Sequence, residues 1–67
     1  MKTFDELKLN LMFNKVSLTN RFHLAMHPNT PDEILEILVN DDEDNGVRYQ
    51  AYRNQVSFQR LFNKLMG

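Results

Sequence analysis

Two histidines stand four residues apart, at the spacing that places two side chains on one face of a helix. His23 and His27 could therefore hold a metal ion together through their imidazole nitrogens. No third ligand follows at a characteristic spacing, and Pro28 disfavours a helical residue at His27. The sequence favours a turn-capping role for His27 and a solvated His23, without a metal or other cofactor.

Nucleophilic catalysis and phosphate binding have little support in the residue types. The chain contains no cysteine, which excludes disulfides, thiolate zinc sites, iron–sulfur clusters and thiol nucleophiles. The hydroxyls of Ser17, Thr19 and Ser57 lack the glycines of a nucleophile elbow, and two glycines in the chain cannot build a phosphate loop. The sequence therefore predicts a protein that is not an enzyme.

An acidic loop, defined as Asp41, Asp42, Glu43 and Asp44, precedes Asn45 and Gly46. Oxygen ligands at alternate positions with glycine sixth match the first half of a calcium loop. The twelfth position is Tyr52, where a bidentate glutamate should complete the coordination, so a solvated loop before a helix is favoured. Asp44 also stands four residues before Arg48, which predicts an ion pair.

The C-terminal third combines cations with aromatic rings, at Arg48, Tyr49, Tyr52, Arg53, Arg60 and Phe62. Arginine and tyrosine are typical of interface hot spots, and single-stranded nucleic acid binds similar surfaces. Val47 and Ala51 mark the buried side of a helix, which turns Arg53 outward and leaves Tyr52 at the edge. We expect Tyr52 and Arg53 to bind a partner with electrostatic support from Arg60, and the rings of Tyr49, Phe58 and Phe62 to lie in the core.

Charge is segregated along the chain although the net charge is only −1. Residues 30–45 hold seven acids and no base, whereas residues 46–67 hold four bases and no acid. Such blocks can steer a charged partner, but neighbouring helices that neutralise each other explain them as well. Four cations beside seven anions attract a polyanion poorly, which makes nucleic acid the less favoured partner.

An internal repeat of 27 residues organises the chain. Thr3-Phe4-Asp5-Glu6-Leu7 aligns with Thr30-Pro31-Asp32-Glu33-Ile34, and Ile34-Leu35 aligns with Leu61-Phe62. Thr3 and Thr30 are expected to be helix N-caps, with Pro31 in the first helical position. Caps and apolar spacing predict helices at about 3–15, 18–26, 31–40, 46–53 and 56–66. No segment has the alternating pattern that predicts a β-strand.

The first predicted helix is apolar on two sides. Leu7 and Leu11 match the core positions of the repeat, and a second row follows on another face. A short terminal helix cannot bury both rows within so small a chain, so a second copy or a target protein is expected to cover one. We define the N-terminal row, the predicted self-association surface, as Leu9, Met12, Phe13 and Val16.

Residues 21–38 and 44–51 resemble the leucine-rich repeat variant, a HEAT-like helical repeat family. The likeness is most specific from His27 to Leu38 and at Val47-Arg48. It implies a right-handed stack of helix pairs used for protein binding, with Asp/Arg pairs forming an internal ladder that Arg21 would continue. The acidic loop and the segment 55–58 depart from the pattern, so the last repeat is expected to be a degenerate cap.

Together these features predict an all-α protein, one helical-repeat domain spanning residues 1–67. We expect a non-catalytic protein–protein interaction module, an adaptor or an inhibitor of a larger protein, able to form a homo-oligomer. The alternatives are a nucleic-acid-associated regulator that uses the basic C-terminal third, and an acidic nucleic-acid mimic that uses the acidic loop. The acidic start and the lack of a long apolar run predict a cytoplasmic protein that does not bind membranes.

Overall fold

The computed structural model describes residues 4–66, with side chains from Asp5 onward, and this part of the chain is all-helical. The prediction of an all-α fold with five short helices is confirmed, and no strand is present between residues 4 and 66. None of the helices in this range has the length and apolar character needed to cross a bilayer. The helices are α1 (Phe4–Met12), α2 (Leu18–Met26), α3 (Asp32–Asp41), α4 (Asn45–Gln55) and α5 (Phe58–Met66).

Helix α1 ends three residues earlier than predicted because Asn14 adopts a left-handed conformation, with φ of 57°. The Lys15 amide donates to the Asn10 carbonyl at 2.8 Å, and the Asn14 amide donates to Leu11 at 3.1 Å. This pair of bonds is the Schellman arrangement, in which asparagine is a common substitute for glycine. It satisfies the last carbonyls of α1 and redirects the chain toward α2.

The start of α3 differs from the prediction. Pro31 is the N-cap residue and makes no side-chain capping bond. The Thr30 hydroxyl instead donates to the Leu24 carbonyl at 2.6 Å, and Thr30 is buried. The assignment of Thr30 as an N-cap is therefore wrong, because its hydroxyl ties the turn to α2. The corresponding prediction for Thr3 lies outside the described residues.

Side-chain oxygens cap the N-termini of α2 and α4. Ser17 accepts from the Asn20 amide at 3.3 Å at the start of α2, and Asp44 accepts from the Val47 amide at 2.9 Å at the start of α4. A carboxylate at this position also interacts favourably with the positive end of the helix dipole. The acidic loop thus supplies the cap that begins α4.

The core lies where α2, α3 and α4 meet, with α1 added on the side of α3. Ala25 and Ala51 let the backbones of α2 and α4 approach closely, because an alanine side chain extends only one carbon from the backbone. Among the described residues, the backbone of α5 approaches that of α4 and of no other helix, while the Arg60 and Lys64 side chains reach Asp32 at the start of α3. The buried apolar residues are Leu11, Ala25, Ile34, Leu35, Leu38, Val47 and Ala51.

The acidic block is neutralised in part by neighbouring helices, as one of the two sequence interpretations predicted, although among the described residues only Asp32 pairs with cations of residues 46–67. Helix α3 and the residue that caps its C-terminus provide the acids, and the neighbouring helices provide the bases. The hydrogen bond donated to Glu33 raises the pKa of Lys8 above its ordinary value. The pairs are Lys8 with Glu33, Arg21 with Asp42, and Arg60 and Lys64 with Asp32.

Gly46 makes room for the ring of Phe22 between α2 and α4. A Cβ atom at Gly46 would lie 2.8 Å from Phe22 Cζ and 3.2 Å from Phe22 Cε1. Its backbone is not left-handed, so the requirement is for space rather than for an unusual conformation. Phe22 is partly buried and packs against the core, which limits how far its ring can move.

We predict that Gly46→Ala lowers stability more in the natural sequence than when Phe22 is replaced by leucine. Alanine favours a helix over glycine by up to about 1 kcal/mol. The clash with the Phe22 ring opposes this gain, as does the close approach to Asp44 Oδ2 at 3.0 Å, and Phe22→Leu relieves only the first. Urea unfolding of the single and double variants, followed by circular dichroism, measures both effects. An equal change in unfolding free energy in the two backgrounds would contradict the role assigned to Gly46.

Candidate functional site

Arg60 of α5 is bound on all three of its guanidinium nitrogens. Nε donates to Asn54 Oδ1 at 2.7 Å, and Nη1 donates to Asp32 Oδ1 at 2.9 Å. Nη2 donates to the carbonyls of Pro28 at 2.9 Å and Thr30 at 2.6 Å, with His27 farther away at 3.5 Å. The side chain is 13% exposed, so this guanidinium holds α5 against the turn between α2 and α3.

Asn54 completes the same network from the end of α4. Its Nδ2 donates to the carbonyls of Ala25 at 2.9 Å and His27 at 2.8 Å, while its Oδ1 accepts from Arg60. The sequence prediction assigned Arg60 to the partner-binding surface. Because the guanidinium donates to acceptors within the fold, Arg60 serves as an anchor for α5 rather than as a free cation.

The anchoring of α5 by its polar edge leaves its apolar face pointing outward. We define the α5 stripe as the residues of this face, whose members range from half exposed to largely exposed: Phe58, Leu61, Phe62, Leu65 and Met66. Phe58 is 82% exposed and Leu65 is 86% exposed. The rings of Phe58 and Phe62 stack on each other with centroids 6.0 Å apart. The prediction that Phe58 and Phe62 are core residues is therefore wrong.

The outer side of α4 carries a second group of exposed rings. Tyr49 is exposed rather than buried, which corrects its assignment to the core, and the Arg53 guanidinium carbon lies 5.7 Å from the centre of its ring. Tyr52 is 55% exposed, with its ring half covered as predicted. Val47 and Ala51 are the buried side of α4, as the spacing predicted. A shallow groove beside these tyrosines is lined by Val39, Asn45, Arg48, Tyr49 and Tyr52.

The acidic loop is divided between structural and exposed carboxylates. Asp42 is almost buried, with its side chain 3% exposed, and its Oδ2 lies 2.8 Å from Arg21 Nε. The Nε–H of Arg21 does not point at this oxygen, so the contact is a charge pair rather than a hydrogen bond. Asp41 and Glu43 remain exposed.

The predicted ion pair between Asp44 and Arg48 is replaced by other contacts. Asp44 directs its carboxylate to the Val47 amide, and its own amide donates to Asp42 Oδ1 at 2.9 Å. Arg21 makes its second polar contact from Nη1 to the Val16 carbonyl at 2.8 Å. The pair that the fold uses is therefore Arg21 with Asp42, two residues before the predicted acid.

The two histidines lie at the end of α2 in different environments. His27 is the C-cap residue, and its Nδ1 accepts from the Asn29 amide at 3.0 Å, which confirms the capping role. His23 is exposed. Within the described part of the chain, no group of three or more histidine or acidic side chains is arranged to hold a metal ion.

The N-terminal row is exposed at three of its four positions. Leu9, Met12 and Phe13 lie at the surface, with Phe13 67% exposed, whereas Val16 is partly buried and packs against the core. Phe13 follows the last residue of α1 and lies in the turn. The chain therefore carries exposed apolar residues both on α1 and on α5.

We predict that Arg60→Ala lowers the unfolding free energy by about 2–3 kcal/mol, because it removes several charge-assisted hydrogen bonds. Arg60→Lys should recover little, since one ammonium cannot donate in all these directions. Lys64→Ala on the same helix is the control and should cost less than about 0.5 kcal/mol. Urea unfolding measures all three, and equal midpoints for Arg60→Ala and Lys64→Ala would argue against the anchor.

We predict that Asp42→Asn lowers the unfolding free energy by about 2 kcal/mol, because it leaves the Arg21 cation without its charge partner. Asp41→Asn is the matched control, since the same change at the neighbouring exposed carboxylate removes no described contact. We expect an effect below about 0.5 kcal/mol for it. Thermal unfolding compares the two, and the same melting temperature for both variants would exclude the proposed importance of the pair.

Comparison of the chain with protein families, curated proteins and solved structures finds no match in any of the three. The resemblance to the leucine-rich repeat variant therefore stays a prediction from the residues. The geometry of α4 and α5 is the basis for a functional proposal.

Proposed function

We propose that the protein is a non-catalytic protein–protein interaction module, an adaptor or an inhibitor of a larger protein. Its binding surface is the C-terminal face, defined as Tyr49, Tyr52 and Arg53 of α4 together with the α5 stripe. The observation that carries the proposal is the orientation of α5, whose polar edge is held inward by Arg60 while its apolar face is exposed.

An amphipathic helix ordinarily packs its apolar face against the core of its own domain. Burial of one large apolar side chain is worth about 1.5–3 kcal/mol, and several such side chains line α5. Contiguous apolar surface of this kind on a small protein marks an interaction site. A partner that covers the α5 stripe would gain this free energy without any rearrangement of the core.

The repeat supplies an internal reference for this surface. Ile34, Leu35 and Leu38 of α3 occupy the same repeat positions as Leu61, Phe62 and Leu65 of α5. The α3 residues are fully buried, with α2 and α4 packed on that helix. The α5 residues have the same chemistry but remain at the surface. The comparison supports a partner that covers α5 as the neighbouring helices cover α3.

The exposed side chains of α4 add residues typical of hot spots to the proposed surface. Tyrosine and arginine contribute large area or a rigid set of donors at low entropic cost. Tyr49 and Arg53 already contact each other, so this part of the surface is preorganised. The ring of Tyr52 is half covered, which leaves one side of it for a partner.

The two nucleic-acid alternatives receive less support from the contacts. Arg60 and Lys64 both pair with Asp32, which leaves Arg48 and Arg53 as the exposed arginines of the basic C-terminal third. In the acidic loop, Asp42 is paired and Asp44 caps α4, so two of the four carboxylates are committed to the fold. A protein partner is therefore the favoured proposal.

We predict that capture of a partner from a native lysate depends on the C-terminal face. Leu65→Asp should abolish retention of the partner, because a carboxylate cannot be buried in an apolar contact. Met26→Asp on α2 is the matched control, since Met26 is also an exposed apolar residue but lies outside this face. Mass spectrometry of the retained proteins reads the result, and equal retention by both variants would contradict the proposal.

We predict that Tyr52→Ala and Arg53→Ala each weaken binding of the purified partner by at least about 30-fold. Neither substitution should lower the melting temperature appreciably, because both side chains lie at the surface. Calorimetric titration and thermal unfolding of the same samples separate the two effects. Unchanged affinity in Arg53→Ala would remove α4 from the binding surface.

A further inference from the structure

We infer that the partner of the α5 stripe is a second copy of this chain, which docks head to tail with its N-terminal row. This inference rests on the proposed function, because it keeps the α5 stripe as a protein-binding surface and names a second copy of this chain, in place of a larger protein, as what covers it. The two faces lie on the first and last helices of the repeat, and each carries large apolar residues that the fold leaves exposed.

The repeat register supports this pairing of unlike ends. Helices α1, α3 and α5 occupy equivalent positions in the 27-residue repeat. Leu61 and Leu65 of α5 stand two repeat lengths after Leu7 and Leu11, and Leu7 and Leu11 pack against the core at the contact between α1 and α3. Helix α5 thus carries the equivalents of the leucine pair with which α1 packs on α3. A neighbouring copy offers such a helix in its own α1.

The exposed side of α1 is available for this contact. Among the described residues, the backbone of α1 approaches that of α3 and of no other helix. Leu9, Met12 and Phe13 are exposed, while Leu11 is buried. In a repeat protein, a terminal helix that keeps an apolar outer face continues the stack instead of capping it. Docking of α5 from a second copy would cover this outer face.

The charges favour contact between the C-terminal face of one copy and α1 of another over contact between two C-terminal faces. Arg60 and Lys64 pair with Asp32, but Arg53 of the C-terminal face is exposed and residues 46–67 contain no acid. Two C-terminal faces in contact would therefore bring like charges together. Helix α1 carries Asp5 and Glu6 in its first turn, and the Asp5 side chain is 91% exposed. Lys8 Nζ lies 3.9 Å from Asp5 Oδ1 but pairs more closely with Glu33, and Lys15 lies beyond the other end of the helix. Contact between α1 and the C-terminal face therefore places the exposed Asp5 opposite a face whose exposed charge, that of Arg53, is positive.

A contact between two different faces does not close on itself after two copies. In a head-to-tail pair, one copy keeps a free α5 stripe and the other keeps a free N-terminal row, so the assembly either grows or closes into a ring. A symmetric pairing, in contrast, stops at the dimer. The number of chains in the complex and the effect of blocking one face therefore distinguish the two arrangements.

The test blocks one face at a time and then mixes the blocked proteins. Phe13→Asp disables the N-terminal row, and Leu65→Asp disables the α5 stripe. We expect the natural sequence to associate beyond the dimer as concentration rises, and each variant alone to sediment as a monomer of 8.0 kDa. An equimolar mixture should form a complex of one chain of each variant, because each retains the face that the other lacks.

The controls test whether the variants are folded and whether the effects are specific to the two faces. Circular dichroism checks that both variants are folded, and the pair Met12→Glu and Phe58→Glu repeats the experiment at other positions of the same two faces. Met26→Asp, an exposed apolar residue on neither face, should associate as the natural sequence does. Monomeric Met26→Asp would overturn the assignment of the faces.

Three results would overturn the inference. Sedimentation of the natural sequence as a folded monomer at about 1 mM excludes self-association in this form. A dimer of Phe13→Asp alone indicates symmetric pairing through α5. A monomeric mixture, together with Leu65-dependent capture of a different protein or binding of anionic lipid vesicles, assigns the α5 stripe to that other ligand. Capture of a different protein would contradict the inference but support the proposed function. The absence of any protein partner would contradict both the inference and the proposed function.

Discussion

The hydrogen bonds donated by Arg60 determine which side of the last helix faces the fold. The turn between α2 and α3 contains Pro28 and Pro31, which have no amide hydrogen to donate. The carbonyls of Pro28 and Thr30 accept from the guanidinium of Arg60. The carbonyl of His27 accepts from the side-chain amide of Asn54 as well as from the Thr30 backbone amide. If α5 rotated to bury its apolar face, this cation would leave the carbonyls behind. The hydrogen bonds to the carbonyls of the turn are therefore kept, and the apolar face of α5 stays exposed.

The rest of the fold tolerates this arrangement because the core does not depend on α5. The buried residues lie on α1 to α4, and α5 contributes none among the described positions. Small residues bring the central helices close together, with Ala25 and Ala51 buried and Gly46 in contact with the ring of Phe22. The ends of the molecule are thus built from exposed apolar faces on a compact centre. This division underlies both proposals, since the outer helices can bind without disturbing the inner ones.

The sequence predicted the five helices and the buried side of α4, because apolar spacing reports directly which residues share a helix face. It failed for Tyr49, Phe58 and Phe62, which were expected in the core. Spacing identifies an apolar stripe but not the direction in which the helix presents it to its neighbours. Alignment of the repeats added to the error, because Phe62 occupies the position of Leu35 without the helices that cover Leu35.

The roles of Arg60 and Thr30 were also missed, for a related reason. Both side chains donate to backbone carbonyls of other segments, and such bonds leave no periodic pattern in the sequence. The sequence contains only an indirect indication of these bonds. Two prolines in a short turn remove two amide donors, so some carbonyls of the turn are free to accept from side chains. Which arginine reaches them is known only once the helices are packed.

The Arg60 contacts link α5 to a distant part of the chain. The guanidinium joins α5 to residues that stand 28 to 33 positions earlier, so the docked position of α5 depends on an intact turn between α2 and α3. Because α5 contributes no buried residue to the core, its local opening exposes less apolar surface than opening of α2, α3 or α4. Its backbone amides should therefore exchange with solvent before those of the three central helices. The helix that opens most readily is then also the one that a bound partner would protect most.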